Sequence, residues 1–441
     1  MAEDWTTRFG SDTPRAAEWY ERAKKVLPGG VSYAIRDFAP HPFYVTRGEG
    51  CRLHDVDGHT YLDYWCGHGA LILGHAPDVV VRAVADQLTR GSHFGYSHPR
   101  EVELAEQVSR RMPGAEMIRY TNSGTEAAMY TVGLARAFTG RLRLAKIEGG
   151  WHGGVEALNK AVRAPYDGAE CCGQNPAARE ATSVVRFNDL DAARDLLAGR
   201  DTAALFVEPL MGAAGFLPAE PAYLEGLRDL CTAAGTLLVF DEVISGFRLG
   251  PGGAQVRYGV TPDITILGKI LGGGFPIGAL CGRREILSRL DHRQVPRARD
   301  RAFHGGTFAA NPVSVTAGLA TLSSLDEAAY QRLEALGSRA RDGIRAALDR
   351  AGLDAAVTGL ASTVAIHFRR GVPRHAREAA AADMEMARAY YAFMLAHGVA
   401  FLTPTVPHMF ISTAHGELEI DRFVSLTEEF AREACRRGTA P

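Results

Sequence analysis

The sequence predicts an α/β protein: a mostly parallel sheet with helices on both faces, plus a smaller α+β domain made from the two chain ends. Three observations carry this. Short, nearly continuous apolar runs alternate with amphipathic helix patterns through the middle of the chain, as fully covered parallel strands require. Polar residues fall just after several of those runs. Beyond about residue 326 the pattern changes to long alanine-rich helices with a few isolated strands.

The helix patterns lie at about 15–27, 77–90, 99–111, 125–138, 189–198 and 221–234. The strand candidates between them are MIRYT (117–121), LRLAKIE (142–148), AALFVE (203–208), TLLVFDE (236–242) and ITILG (264–268). Late strands are expected at TVAIHF (363–368) and MFISTA (409–414). The large domain is therefore expected over 65–320, and the small one over 1–64 with 321–441.

Composition narrows the function. The chain has 441 residues, 46% hydrophobic and 23% charged, with a formal net charge of −2. It is long enough for two domains and lacks the basic excess that binding a phosphate backbone demands, so nucleic acid is not an expected partner. The seven cysteines show no C-x-x-C spacing, so no metal site is expected and a reduced, cytoplasmic setting is the simplest reading. The N-terminus lacks the apolar stretch of a signal peptide. The most apolar stretch, 264–282, contains Lys269 and is dense in glycine, so it reads as strand, turn and strand and not as a membrane span.

In an open α/β sheet, ligands bind beyond the carboxyl ends of the strands. The residues expected there are Asn122-Ser123-Gly124-Thr125, Trp151-His152, Glu208, Asp241-Glu242 and Lys269. Ser123, Gly124 and Thr125 open a helix, where free N–H groups and the positive dipole end attract an anion; the same residues with Glu126 would also make an ordinary helix cap. Asp241 and Glu242 end an apolar strand, where a carboxylate needs a partner. Capping the next turn would serve, and so would a protonated pyridine nitrogen. Lys269 also ends an apolar strand, before Gly272-Gly273-Gly274. In a tight apolar setting its amine becomes a nucleophile able to form a Schiff base, although a lone lysine can also reach out to solvent.

Taken in order, NSGTEA (122–127), GGWHG (149–153), VEP (207–209), FDEVISGFR (240–248), LGKILGGGFPIGA (267–279) and GGTFAANP (305–312) resemble the class III aminotransferases, pyridoxal-phosphate enzymes of fold type I. DVDGHTYLDYW (55–65), LGHAPDVV (73–80) and PGGV (28–31) are similar to the glutamate-1-semialdehyde aminomutase branch. The resemblance is strong over roughly 20–325 and looser beyond. It implies pyridoxal 5′-phosphate as cofactor, with Lys269 its covalent anchor and proton shuttle. Asp241 would keep the pyridine nitrogen protonated. Ser123, Gly124 and Thr125 would hold the phosphate, with Thr307 of a second subunit, which implies a homodimer with shared sites. Trp151 and Val243 would enclose the ring, His152 and Glu208 would lie beside it, and Arg36 would bind a substrate carboxylate with its planar fork.

The sequence departs from the aminomutase pattern around the substrate. Ala213 stands where that pattern has an asparagine, Cys66-Gly67-His68 replace an aromatic-centred tripeptide, and a glutamate is missing from TPTVPHMF (403–410), where His408 is the nearest polar group. These losses lead to the expectation of an intermolecular aminotransferase acting on an amino acid, with a β-amino or aryl-substituted one suggested by the small residues Gly67, Gly69 and Ala213, and on a keto acid. An intramolecular aminomutase or racemase is the alternative. The polar insertion at 162–180 is expected to be a lid.

Overall fold

A computed structural model of the chain describes residues 2–167, 170–401 and 406–438. It divides into two compact units. The larger comprises Asp78–Tyr330 with Arg374–Arg377, and the smaller comprises Met1–Pro77, Gln331–Pro373 and Glu378–Pro441. The boundaries thus fall at 77/78 and 330/331, against the 64/65 and 320/321 expected from sequence.

The larger unit holds a seven-stranded sheet. In chain order its strands are β1 (Met117–Thr121), β2 (Arg143–Ile147), β3 (Thr182–Val185), β4 (Thr202–Val207), β5 (Leu237–Asp241), β6 (Ile264–Gly268) and β7 (Gly278–Gly282). Their spatial order is β1-β7-β6-β5-β4-β2-β3. Every neighbouring pair is parallel except the two made by β7, which runs antiparallel to β6 and β1. The mostly parallel α/β architecture is the one expected. β3, with a short and only partly apolar run, was not anticipated.

The buried pattern of the central strands explains their place. Every residue of β4, β5 and β6 is buried, and each Val, Leu, Ile or Phe so covered contributes about 1.5–3 kcal/mol. Packed against them is the helix Gly124–Thr139, whose Ala127, Ala128, Val132, Leu134 and Ala135 are buried in the same cluster as Phe206, Val239 and Ile266. After β6 a short turn of helix, Lys269–Gly272, reverses the chain. Gly273 has φ +56°, and a Cβ there would lie 2.2 Å from Thr321 Oγ1, so only glycine lets the turn close tightly enough for β7 to fold back beside β6.

The smaller unit has a four-stranded sheet (Val45–Glu49, Arg52–Asp55, Thr60–Asp63, Val399–Ala400) and a three-stranded one (Ala356–Thr358, Thr363–His367, His408–Phe410). Its core gathers Phe9, Ile344, Tyr390, Phe393, Phe423 and Phe430 from helices of both chain ends, with Tyr64 from the bend after Thr60–Asp63. Among the described residues no helix is long and apolar enough to cross a membrane.

Candidate active site

The carboxyl ends of β1, β2, β4, β5 and β6 carry the residues expected to act together. At the end of β1, Ser123 caps the helix Gly124–Thr139, its hydroxyl accepting from Glu126 N–H at 3.1 Å. Glu126 in turn accepts from Asn122 N–H at 2.9 Å. The cap leaves room for an anion as well, because Gly124 and Thr125, as the first helical residues, keep N–H groups without intrahelical acceptors. A Cβ on Gly124 would come within 2.7 Å of Val243 Cγ2, and one on Gly268 within 3.4 Å of Val243 Cγ1. Val243 therefore packs beside both the helix start and the residue preceding Lys269.

From β2 the chain runs through Gly149-Gly150 to Trp151 and His152. A Cβ on Gly153 would sit 2.1 Å from Thr125 Oγ1, so this loop meets the Ser123–Thr125 turn. His152 is buried, and its Nδ1–H donates to Asp241 Oδ2 at 2.8 Å. Its Nε2 is buried with no hydrogen-bond partner among the described residues. Asp241 Oδ1 accepts from Val243 N–H at 3.1 Å, so each carboxylate oxygen retains capacity for a further donor. Glu208, at the end of β4, accepts from Trp151 N–H at 2.7 Å through Oε1 and from Gly212 N–H at 3.0 Å through Oε2. Burial raises the Glu208 carboxyl, and His152 opposes that rise. Trp151 keeps its indole 38% exposed.

Lys269 stands at the end of β6 with φ +49°. No hydrogen bond or ion pair to its Nζ occurs among the described residues. Burial lowers its pKa, Asp241 and Glu208 counteract this, and Arg248 reinforces it. The neighbouring Glu242 has a different job. It accepts from Ala254 N–H at 2.6 Å, Ser245 Oγ at 3.1 Å and Gln255 Nε2 at 3.3 Å, holding the following turn and helix, and burial pushes its carboxyl up to about 7.

Thr307 and Arg36 are the remaining expected residues. Thr307 is exposed and lines a cavity of about 430 Å³ with Tyr96, His98 and Glu101; no hydrogen bond joins it to Ser123, Gly124 or Thr125 among the described residues. Arg36 belongs to the smaller unit, where it is exposed and lines a cavity of about 520 Å³ with Trp65, Gly67 and His68. His68 stacks on Tyr33 with centroids 5.9 Å apart and lies 4.2 Å from the Trp65 ring. Cys66, Gly67, His68 and Gly69 all have positive φ, from +48° to +78°, a run of left-handed residues that sequence patterns do not announce. His408 is buried and donates from Nδ1 to Val406 O at 2.9 Å, whereas residues 402–405 of the same stretch lie outside the described residues. Ala213 is exposed in the turn after Met211. Of the expected lid, Tyr166 donates to Ala376 O at 3.1 Å and Pro165 O accepts from Arg377 Nη1 at 3.3 Å, while 168–169 lie outside the described residues.

The clustered residues fit pyridoxal phosphate: an anion-ready helix start, an orphaned buried imidazole nitrogen, a half-exposed indole, a carboxylate with spare acceptor capacity and an unpaired, desolvated lysine. The family model for class III aminotransferases matches residues 33–404. The chain belongs to the class III aminotransferases. As a member of this family it is an enzyme that uses pyridoxal 5′-phosphate. Glutamate-1-semialdehyde 2,1-aminomutase from Methanothermobacter thermautotrophicus is 44% identical over 94% of this chain and 98% of its own. An omega-transaminase from Sphaerobacter thermophilus superposes with a TM-score of 0.90 at 37% identity, covering 96% of this chain and 98% of that one. A glutamate-1-semialdehyde aminomutase from Pseudomonas aeruginosa gives 0.89 at 27% identity, covering 97% and 96%.

These relatives correct one expectation. Proteins 36–44% identical over most of the chain carry the aminomutase name, which overturns the reading as an intermolecular aminotransferase of an amino acid and a keto acid. That reading counted hydrogen-bond partners missing at Ala213, at 66–68 and near His408. A tally of losses is blind to replacements, and the smaller unit's cavity is lined by the polar groups of Ser32, Arg36, His68 and His75 as well as by apolar ones.

Proposed function

We propose that the chain is an intramolecular aminomutase that moves an amino group between adjacent carbons of one substrate, glutamate-1-semialdehyde or a close analogue. The observation that carries this is the aminomutase relative at 44% identity along 98% of its length, with Lys269 and Asp241 both in place. Pyridoxal phosphate, when bound, supplies an aldehyde carbon that takes up amines and a ring that draws electrons from them.

The protein's part divides among few residues. Lys269 Nζ anchors the cofactor, then takes and returns the proton at the substrate carbon that bears the amine; burial favours the neutral amine this needs. Asp241 keeps the pyridine nitrogen protonated, and His152 fixes its orientation. Ser123, Gly124 and Thr125 hold the phosphate, Trp151 and Val243 take the two ring faces, and Glu208 steadies Trp151 through its N–H. Arg36, exposed and without a partner among the described residues, binds the substrate carboxylate.

Two copies form the working unit, with Thr307 of each completing the other's phosphate site. Exposed aromatic side chains around that segment support this: Phe94, Tyr96, Phe303 and Phe308 are 42–87% accessible, an apolar surface suited to a second copy. The seven free cysteines fit a reducing, cytoplasmic setting.

The test is glutamate-1-semialdehyde as sole substrate, with no amino acceptor. The expected result is its isomer, with the amine moved to the neighbouring carbon and no keto acid released. Turnover that starts only when a separate keto acid is added would overturn the proposal.

A further inference from the structure

We infer that Lys146 is a positioning residue: it grips the Gly150–Trp151 peptide and thereby sets the Trp151 indole against the cofactor ring. The inference rests on the reading of Trp151 as a ring-stacking residue. Lys146 lies on β2 with no exposed surface, where an ammonium is costly unless compensated. Among the described residues no carboxylate forms an ion pair with it, although Glu208 and Glu170 oppose the effect of its burial. Its Nζ donates instead to two backbone carbonyls, Gly150 O and Lys160 O, each at 2.7 Å. An apolar side chain would fill this space without the desolvation cost, so packing alone does not account for a lysine.

The target of the first bond gives the reason. Gly150 C=O and Trp151 N–H belong to one rigid, planar peptide unit. Lys146 holds its oxygen, and Glu208 Oε1 holds its N–H at 2.7 Å. The unit is clamped at both ends by buried groups of opposite charge. On the strand side of it, Gly150 N–H donates to Ile147 O at 3.1 Å. Gly149 and Gly153 flank it with φ +82° and +76°, Gly150 has no side chain, and Trp151 is partly exposed. The second bond, to Lys160 O, ties down the far end of the loop, where Ala161 O also accepts from Gly149 N–H at 2.7 Å. Burial lowers the Lys146 ammonium to about 8, and the neutral amine retains two N–H groups, so both bonds persist across that titration.

The experiment is a double-mutant cycle read by cofactor affinity. Apo forms of the wild type, Lys146→Met, Trp151→Ala and the double variant are titrated with pyridoxal phosphate, following protein fluorescence, and amide exchange is measured at 149–152. Lys146→Met is expected to weaken binding roughly three- to tenfold, the worth of one well-placed aromatic contact, and to speed exchange at the Trp151 amide. In the Trp151→Ala background it should cost almost nothing more, because its effect acts through the indole. Lys146→Gln, which keeps an NH2 donor group on a shorter, uncharged side chain, should fall between and serves as the test if the Met variant does not fold. Losses that add in full overturn this inference alone, leaving Trp151 as the stacking residue. A Trp151→Ala protein with unchanged cofactor affinity overturns the stacking reading and this inference with it.

Discussion

At Lys269 the backbone has φ +49°, a conformation that costs a non-glycine residue roughly 1–3 kcal/mol and persists only where surrounding structure holds it. Here β6 ends just before it and the glycine turn begins beyond it, and the Nζ is desolvated, with no hydrogen-bond or ion-pair partner among the described residues. Borohydride reduction of the holoenzyme should place a pyridoxyl label on Lys269, and Lys269→Ala should still bind cofactor yet lose roughly a hundred- to ten-thousand-fold in turnover. A label mapped to Lys146 or Lys160 would refute the assignment. A second residue links burial to pH. His415 is buried, accepts from Ser412 N–H at Nδ1 (3.1 Å) and has its pKa lowered to about 4. Between pH 4 and the unfolded value of about 6.5, only the unfolded chain takes up this proton. Stability from His415 is therefore full above about 6.5 and falls as pH drops toward 4, by about 3 kcal/mol at most. His415→Asn, with an acceptor oxygen in place of Nδ1, should flatten that acid limb in urea midpoints measured from pH 4 to 7.

At the scale of elements, the site depends on how closely β7 approaches the helix start after β1. A Cβ on Gly278 would lie 2.1 Å from Ser123 O and 2.5 Å from Thr121 Oγ1. Both are held in the turn that presents Gly124 and Thr125, and one is backbone, which cannot step aside. Gly278→Ala should displace that turn, destabilise the protein by roughly 1–3 kcal/mol and weaken inorganic phosphate and cofactor binding together. Unchanged phosphate affinity in the variant would show that the turn is not the anion site. The clash is invisible in LGKILGGGFPIGA read alone, since it is made with a strand more than 150 residues earlier.

For the whole molecule, assembly is the outstanding consequence. Thr307 is exposed, as are Tyr96 at 87%, Phe303 at 78% and Phe308 at 57%, and a two-fold dimer would cover such a patch once on each copy. Tyr96→Glu with Phe303→Glu should shift sedimentation from the dimer toward a 47.5 kDa species and weaken cofactor binding in parallel. Full activity in a monomer of that size would rule out shared sites.

The sequence by itself determined the α/β class, the strands that end in Asp241 and Lys269, the family and its cofactor. Those features are local: apolar runs of strand length, a polar residue at each end, and motifs in fixed order, which no distant contact needs to supply. Only the tertiary structure decided which neighbours those residues have. It joined His152 to Asp241 across 89 positions and Trp151 N–H to Glu208 across 57, separated Glu242 from the site as a turn-holding carboxylate, and made Lys146 a clamp. The left-handed run at 66–69 was equally illegible, because the position of a lone histidine says nothing about its φ. The misjudged reaction has the same origin. Counting absent side chains is a sequence operation, whereas a substrate's grip is the sum of whatever groups the folded chain brings within hydrogen-bond range, wherever they lie along it.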